Sequence, residues 1–345
     1  MAAPRELLQQ LLERRDLSAG QAGELLAHLT DPKLAPAMGG ALLAALTAKG
    51  VVAEELRGLA QAMRRMARRP ALPLGLRAID VVGTGGDCSG SFNISTGTAL
   101  LTAAAGLPVV KHGNRSVSSH CGSADVLEAL GLPIPLDAQA AAACLASCGF
   151  TYLHAPHYHP ATAGVTPIRS ALGVRTVFNI LGPLVNPAEP PLMLIGAFSM
   201  SVAQLMAEAL AGLPIERAFV VHSGASGWDE PTPMGPFAVF DVRPGRVTSA
   251  VRSPEDYGLP VCSADELRGG DAVRNARALT TVLLGEDRGA HRDCLLLGTA
   301  LALEVAGEIT DPRAGIERAA AAIEGGAGRR VLDALKAQSR GQPAP

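Results

Sequence analysis

The chain lacks a charge excess of either sign: 30 Lys and Arg stand against 32 Asp and Glu in 345 residues, a formal net charge of -2. No global field draws it to nucleic acid or an anionic membrane, so any anion site must be local. Its six cysteines (Cys88, Cys121, Cys144, Cys148, Cys262, Cys294) form no CxxC pair and no dense framework. That argues against a disulfide scaffold or a zinc site and points to reduced thiols in the cytoplasm. The N-terminus turns charged at Arg5 and Glu6 without an apolar leader, and no stretch approaches about 18 uninterrupted apolar residues. A soluble intracellular protein is expected. Aromatics are scarce at 3%, which leaves Ala, Leu and Gly to build the interior, a composition suited to helices packed tightly on a parallel sheet.

What is present divides into two patterns. Up to about residue 69, apolar residues recur at helical spacing (Leu7, Leu8, Leu11, Leu12; Leu25, Leu26, Leu29; Leu42, Leu43, Leu46; Leu56, Leu59, Met63, Met66), predicting four amphipathic helices with Ser18 as an N-cap. Arg64, Arg65, Arg68 and Arg69 read as a solvated helix end. Pro70, Pro73 and Gly75 suggest a hinge. Beyond it, short apolar runs alternate with helices: Ile79–Val82, Leu107–Val110, Phe150–Leu153, Leu192–Phe198, Ala218–His222 and Phe237–Val242. This rhythm predicts an α/β fold, a small N-terminal helical domain hinged to a larger domain with a mainly parallel central sheet. The expected divisions are 1–70, joined by part of 167–191; 76–335; and a frayed tail at 336–345.

Three polar segments follow strand ends, where such sheets bind ligands. Gly83-Thr84-Gly85-Gly86-Asp87 lets backbone approach an anion; Asn93-Ile94-Ser95-Thr96 opens a helix; Lys111-His112-Gly113-Asn114-Arg115 precedes four small residues, Ser116 to Ser119. Neither a dinucleotide fingerprint nor a P-loop is present. Backbone amides wrapped around pyrophosphate fit instead. Ser95 and Thr96 can cap the helix while binding. Lys111 and Arg115 are phosphate contacts or local ion-pair partners, His112 and Asn114 turn residues or ligands, and Ser123 a cap or phosphate contact.

Asp229-Glu230, in a loop after another strand, offers the hard oxygens Mg²⁺ prefers beside a phosphorylated substrate. His154, His157 and His159 have neither zinc-finger nor HExxH spacing, and with Pro156 and Pro160 among them they read as a pocket wall. Arg169, among Val165, Ile168 and Leu172, is placed to hold a carboxylate or a neighbouring acid.

Together these motifs resemble the anthranilate phosphoribosyltransferase family of tryptophan biosynthesis: GTGGD, NIST, KHGNRSVSS, GSADVLEALG at Gly122 to Gly131, RTVFNILGPLVNP at Arg175 to Pro187, and the Asp229-Glu230 pair, in family order. The resemblance implies a homodimer through the helical domain and transfer of a phosphoribosyl group to an aromatic amine. It assigns phosphoribosyl pyrophosphate to Gly83, Gly86, Asp87, Ser91, Asn93, Ile94, Ser95, Thr96, Lys111, His112, Gly113, Asn114, Arg115, Ser116, Val117, Ser118, Ser119 and Ser123. It assigns Mg²⁺ to Ser95, Asp229 and Glu230, and anthranilate to Asn114 and Arg169, with Gly83, His112 and His159 lining the acceptor path. No acid–base residue is implied: the amine is a neutral nucleophile, no Ser-His-Asp set is visible, and positioning with stabilisation of the leaving group carries the rate. A pyrimidine nucleoside phosphorylase would share the architecture but not these phosphate loops, and a mere binding protein would be expected to lose the acidic pair or Arg169. Departures from the family pattern are Gly298-Thr299-Ala300 at a place where an asparagine is common, His154 in place of a more usual aromatic, and Trp228 before the acidic pair.

Overall fold

The computed structural model describes residues 2–87, 89–115, 121–224 and 227–339. Four helices come first: α1 (Pro4–Leu12), α2 (Ala19–Thr30), α3 (Pro36–Lys49) and α4 (Ala53–Met66). Ser18 caps α2, its hydroxyl accepting the Gln21 amide, and Gly50, at φ 91°, ends α3. A Cβ at Gly58 would stand 2.2 Å from the Ala19 carbonyl, so glycine is what lets α2 and α4 cross so closely. Arg65, Arg68 and Arg69 of the arginine run are exposed as expected, but Arg64 is not. Arg64 is 4% exposed, its Nε donates to the Leu184 carbonyl at 2.8 Å, and Glu189 pairs with both Arg64 and Arg69. These cations clamp the bundle to the 182–189 segment.

The sheet runs β1 (Ile79–Gly83), β2 (Val109–Gly113), β3 (Phe150–His154), β4 (Leu192–Gly196), β5 (Arg217–His222), β6 (Phe237–Arg243) and β7 (Arg246–Arg252), in the order β3-β2-β1-β4-β5-β6-β7. The first five strands are parallel and the last two antiparallel. β7 was not expected from sequence, because it is an edge strand exposed along most of its length and carries no apolar run. Its one signal was Pro244-Gly245, the two-residue turn joining Arg243 to Arg246.

The remaining helices are α5 (Ile94–Ala104), α6 (Ser123–Ala129), α7 (Ala138–Cys148), α8 (Ala155–Tyr158), α9 (Thr166–Leu172), α10 (Phe178–Leu181), α11 (Met200–Leu210), α12 (Ala272–Leu283), α13 (Ala290–Val305), α14 (Pro312–Glu324) and α15 (Ala327–Ser339). Residues 336–339, expected in a frayed tail, belong to α15. Alternate residues of β4 feed opposite cores: Leu192 and Leu194 face α5, α13 and their neighbours, while Met193 and Ile195 share a core with α11, the 165–185 segment and the four-helix bundle. Burial on both faces is why the parallel strands read as unbroken apolar runs.

Gly298 has a packing reason. A Cβ there would sit 2.5 Å from Thr98 Oγ1, where α13 lies against α5. Gly298→Asn is therefore expected to overpack this contact and cost about 1–3 kcal/mol in denaturant unfolding; an unchanged midpoint would remove the packing explanation.

Candidate active site

β1 delivers the chain into Gly83–Asp87 at its carboxyl end, and left-handed backbone at Gly85 (φ 69°) and Gly86 (φ 74°) turns the loop, where a Cβ on either glycine would meet nothing within 4 Å. The loop after β5 folds over the same sheet edge. A Cβ at Gly83 would lie 2.5 Å from Asp229 Oδ2, and one at Gly196 would lie 1.6 Å from the Asp229 carbonyl, so both strands must end in glycine for Asp229 to sit there. Asp229 accepts the Gly85 amide and the Thr84 hydroxyl, and Glu230 Oε1 accepts the Ser95 amide at 3.2 Å. Trp228, 5% exposed, anchors the loop by its backbone bridge to Ser223.

The second segment is the start of α5 itself. Asn93 is the N-cap residue, so Ser95 and Thr96 lie inside the first turn and do not cap it. Thr96 is fully buried with its hydroxyl unpartnered, and Ile94 packs into the core. Asn93 is fixed by Asn275, a buried residue of α12 whose Nδ2 donates to Asn93 Oδ1 at 2.8 Å. Nothing in the sequence marked Asn275.

The third segment is less of a loop than expected, since Lys111, His112 and Gly113 are the last residues of β2. Lys111 is 2% exposed; its ammonium donates to the Val81 carbonyl and lies 3.3 Å from Ser95 Oγ. Arg115 is held by Glu128 at 2.6 Å and Asp125 at 3.0 Å, the local ion pair that the sequence left open as the alternative to phosphate. Ser123 follows the N-cap Gly122 and caps nothing; its hydroxyl donates to the Asn114 carbonyl at 3.2 Å and meets Tyr152 Oη at 3.0 Å. Ser116, Val117, Ser118 and Ser119 lie outside the described residues.

One cavity of about 1060 Å³ joins these pieces. Its walls include Gly83, Gly86, Asp87, Ser91, Asn93, Ser95, Thr96, Lys111–Arg115, Ser123, His159, Arg169, Asp229 and Glu230, so the described site residues converge with the exception of Ile94. His154 and His157 do not line it: the first packs on Tyr152 and the second edge-on to Tyr158. Phe178 and Asn179 line it unforeseen.

The cavity has two electrostatic ends. At one, burial and mutual repulsion with Glu230 and Asp87 raise the Asp229 carboxyl well above its ordinary range, and desolvation, opposed by Lys111, pushes Glu230 up to about 7. Crowded carboxylates with a Ser hydroxyl alongside suit a hard, oxygen-seeking cation. Among the described residues no three His, Cys, Asp or Glu side chains form a metal cage alone, so a cation here would keep ligands from water or substrate. At the other end, the Arg169 guanidinium lies 5.2 Å from the Phe178 ring centroid with Nε buried and unpartnered, and burial lowers its pKa. In the same wall His112 and His159 pack edge to face at 5.1 Å; burial drives His112 down to about 3 and His159 to about 4, so both are neutral at physiological pH.

A helical bundle seated on a mainly parallel sheet, with a glycine loop, an acidic pair and a lone guanidinium around one cavity, defines a glycosyl transferase of the bundle-plus-α/β type. The family models agree: the glycosyl transferase helical bundle domain matches residues 5–67 and the glycosyl transferase a/b domain residues 75–329. The chain is 46% identical over 326 residues to the anthranilate phosphoribosyltransferase of Synechococcus sp. (strain JA-3-3Ab), covering 93% of each, and 43% identical to that of Rubrobacter xylanophilus, covering 97% of each. Among solved structures, anthranilate phosphoribosyltransferase from Thermus thermophilus superposes with a TM-score of 0.90 at 36% identity, covering 97% of this chain and 99% of that one. The Saccharomyces cerevisiae enzyme in complex with PRPP and Mg superposes at 0.89 with 27% identity and 98% coverage of both. This chain belongs to the anthranilate phosphoribosyltransferase family.

Proposed function

We propose that the chain transfers the 5-phosphoribosyl group from phosphoribosyl pyrophosphate to the amine of anthranilate, giving N-(5-phosphoribosyl)anthranilate and pyrophosphate, a step of tryptophan biosynthesis. The observation that carries this reading is that one cavity is lined both by the acidic pair with its glycine and hydroxyl neighbours and by a guanidinium whose Nε is unpartnered. The Gly86 amide and the hydroxyls of Ser89, Ser91 and Ser95 bind pyrophosphate at the first end. Arg169 takes the anthranilate carboxylate at the second, with Asn114 beside the amine, and uncharged His112 and His159 line the cavity without adding positive charge where it develops at the ribose C1. Ser95, Asp229 and Glu230 fit Mg²⁺, which when bound neutralises charge on the departing pyrophosphate. The chain's own contribution is to align the two substrates and to place backbone N–H groups where the leaving group gains charge.

Arg115 joins the donor site only by releasing Asp125 and Glu128. The site residues reach the cavity from two units, 76–335 and the bundle 1–70 joined by part of 167–191, which we propose as domains. Homodimerisation through the bundle and a cytoplasmic location complete the proposal; among the described residues no helix is long and apolar enough to cross a membrane. The test follows anthranilate fluorescence in purified protein with phosphoribosyl pyrophosphate and Mg²⁺. Consumption that needs both is expected, and folded protein that consumes no anthranilate would refute the reading.

A further inference from the structure

β1 pairs with β4 at five successive positions and β2 with β3 at five, yet β1 and β2 pair only at Ile79 and Val109. Beyond that point the ladder between them stops although the strands remain neighbours, and they are the strands that end in the glycine loop and in Lys111–Gly113. Backbone groups opened inside a sheet must find other partners. Here the partners are side chains. Asp80 Oδ1 accepts the His112 backbone N–H at 3.2 Å, Asn186 Nδ2 donates to the Val110 carbonyl at 2.8 Å, and the Lys111 ammonium donates to the Val81 carbonyl. Asn186 also donates to Asp80 Oδ2 at 2.9 Å, which ties the set together.

Asp80 and Asn186 are fully buried and neither lines the cavity, so they do not touch substrate. A buried carboxylate in a central strand is costly without a compensating cation. Lys111 is that cation: Asp80 attracts it from beneath the site, while Asp229 and Glu230 attract it from the cavity side. Asn186 comes from the 182–189 segment that Arg64 of the bundle grips through Leu184 and Glu189, so the set is locked from the helical unit as well.

We infer that Asp80, braced by Asn186, is a positioning residue: it stands in for the missing ladder between β1 and β2 and fixes the Lys111 ammonium beside Ser95 at the donor end of the cavity. The inference rests on the reaction proposed above and adds a residue that touches no substrate and acts through Lys111 and the strand end that carries it.

Asp80→Asn keeps the shape of the side chain and removes its charge. It is expected to raise KM for phosphoribosyl pyrophosphate roughly 10- to 100-fold and to leave KM for anthranilate within about twofold. In a Lys111→Met background the same change should add less than about twofold, because coupled residues are not additive. Equal rises in both KM values, or full additivity with Lys111→Met, would overturn the assignment. If Asp80→Asn does not fold, Asn186→Ala keeps both charges and removes the brace, and should shift the donor KM in the same direction by less; no shift overturns the assignment. Calorimetric titration with phosphoribosyl pyrophosphate separates this inference from the reaction itself. Wild-type protein that binds the donor but forms no product refutes the reaction, whereas Asp80→Asn that binds the donor as tightly as wild type refutes the positioning role.

Discussion

Arg169→Ala is expected to lower kcat/KM for anthranilate by about 10- to 150-fold while KM for phosphoribosyl pyrophosphate stays within about twofold, the span that loss of hydrogen bonds to a charged group predicts. The size follows from where the guanidinium sits. Arg169 is carried on α9, whose Ile168 packs so closely on α3 that a Cβ at Gly39 would meet it at 2.6 Å. Its charge is partly buried, its Nε has no partner, and the Phe178 face beneath it leaves the planar fork free to meet a carboxylate in two parallel bonds. Arg115, by contrast, is already bonded to Asp125 and Glu128. Burying a cation without a partner costs stability, and an anthranilate carboxylate removes that cost on binding. Arg169→Lys should fall between, since an ammonium keeps the charge and loses the fork. Steady-state kinetics with each substrate varied in turn checks both variants, and a parallel loss for both substrates would take Arg169 out of the acceptor site.

The separation of the two ends also explains what was readable in the sequence. Strand-ending motifs such as Gly83–Asp87 and Lys111–Gly113 announce themselves because glycine and polar residues interrupt apolar runs, and the parallel order of β1 to β5 follows from strands alternating with helices. Residues that act from beneath are silent. Asp80 lay unremarked within the apolar run Ile79–Val82, Asn186 within the motif ending at Pro187, and Asn275 outside every motif; their roles exist only once the chain is folded. Arg64 misled for the same reason: a helix-end arginine looks solvated until a distant segment, here 182–189, covers it. The edge strand β7 was missed because exposure on most of its length erases the apolar pattern by which strands are recognised. Local sequence thus reports what faces a ligand more readily than what holds that face in place.

That distinction bears on the acidic pair, where a ligand role and a structural role predict opposite outcomes. If Asp229 and Glu230 served the fold, their neutralisation would weaken it. Their surroundings argue otherwise: both carboxyls are raised by desolvation, and Asp229 further by Glu230 and Asp87, so in the metal-free protein their charge opposes folding. Asp229→Asn with Glu230→Gln preserves the acceptor oxygens used by the Gly85 and Ser95 amides while removing that repulsion. The double variant is therefore expected to melt no lower than wild type in the absence of metal. Mg²⁺ with pyrophosphate should raise the wild-type melting temperature and leave the variant's nearly unchanged, because stabilisation by a ligand follows its affinity for the folded state. In turnover, the Mg²⁺ concentration for half-maximal rate should rise by at least about 10- to 100-fold, the range already seen when only the outer supports of a metal site are lost. An unchanged Mg²⁺ titration would remove the pair from the metal site, and a variant that melts well below wild type without metal would make them structural acids; the repulsion between Asp229 and Glu230 predicts neither.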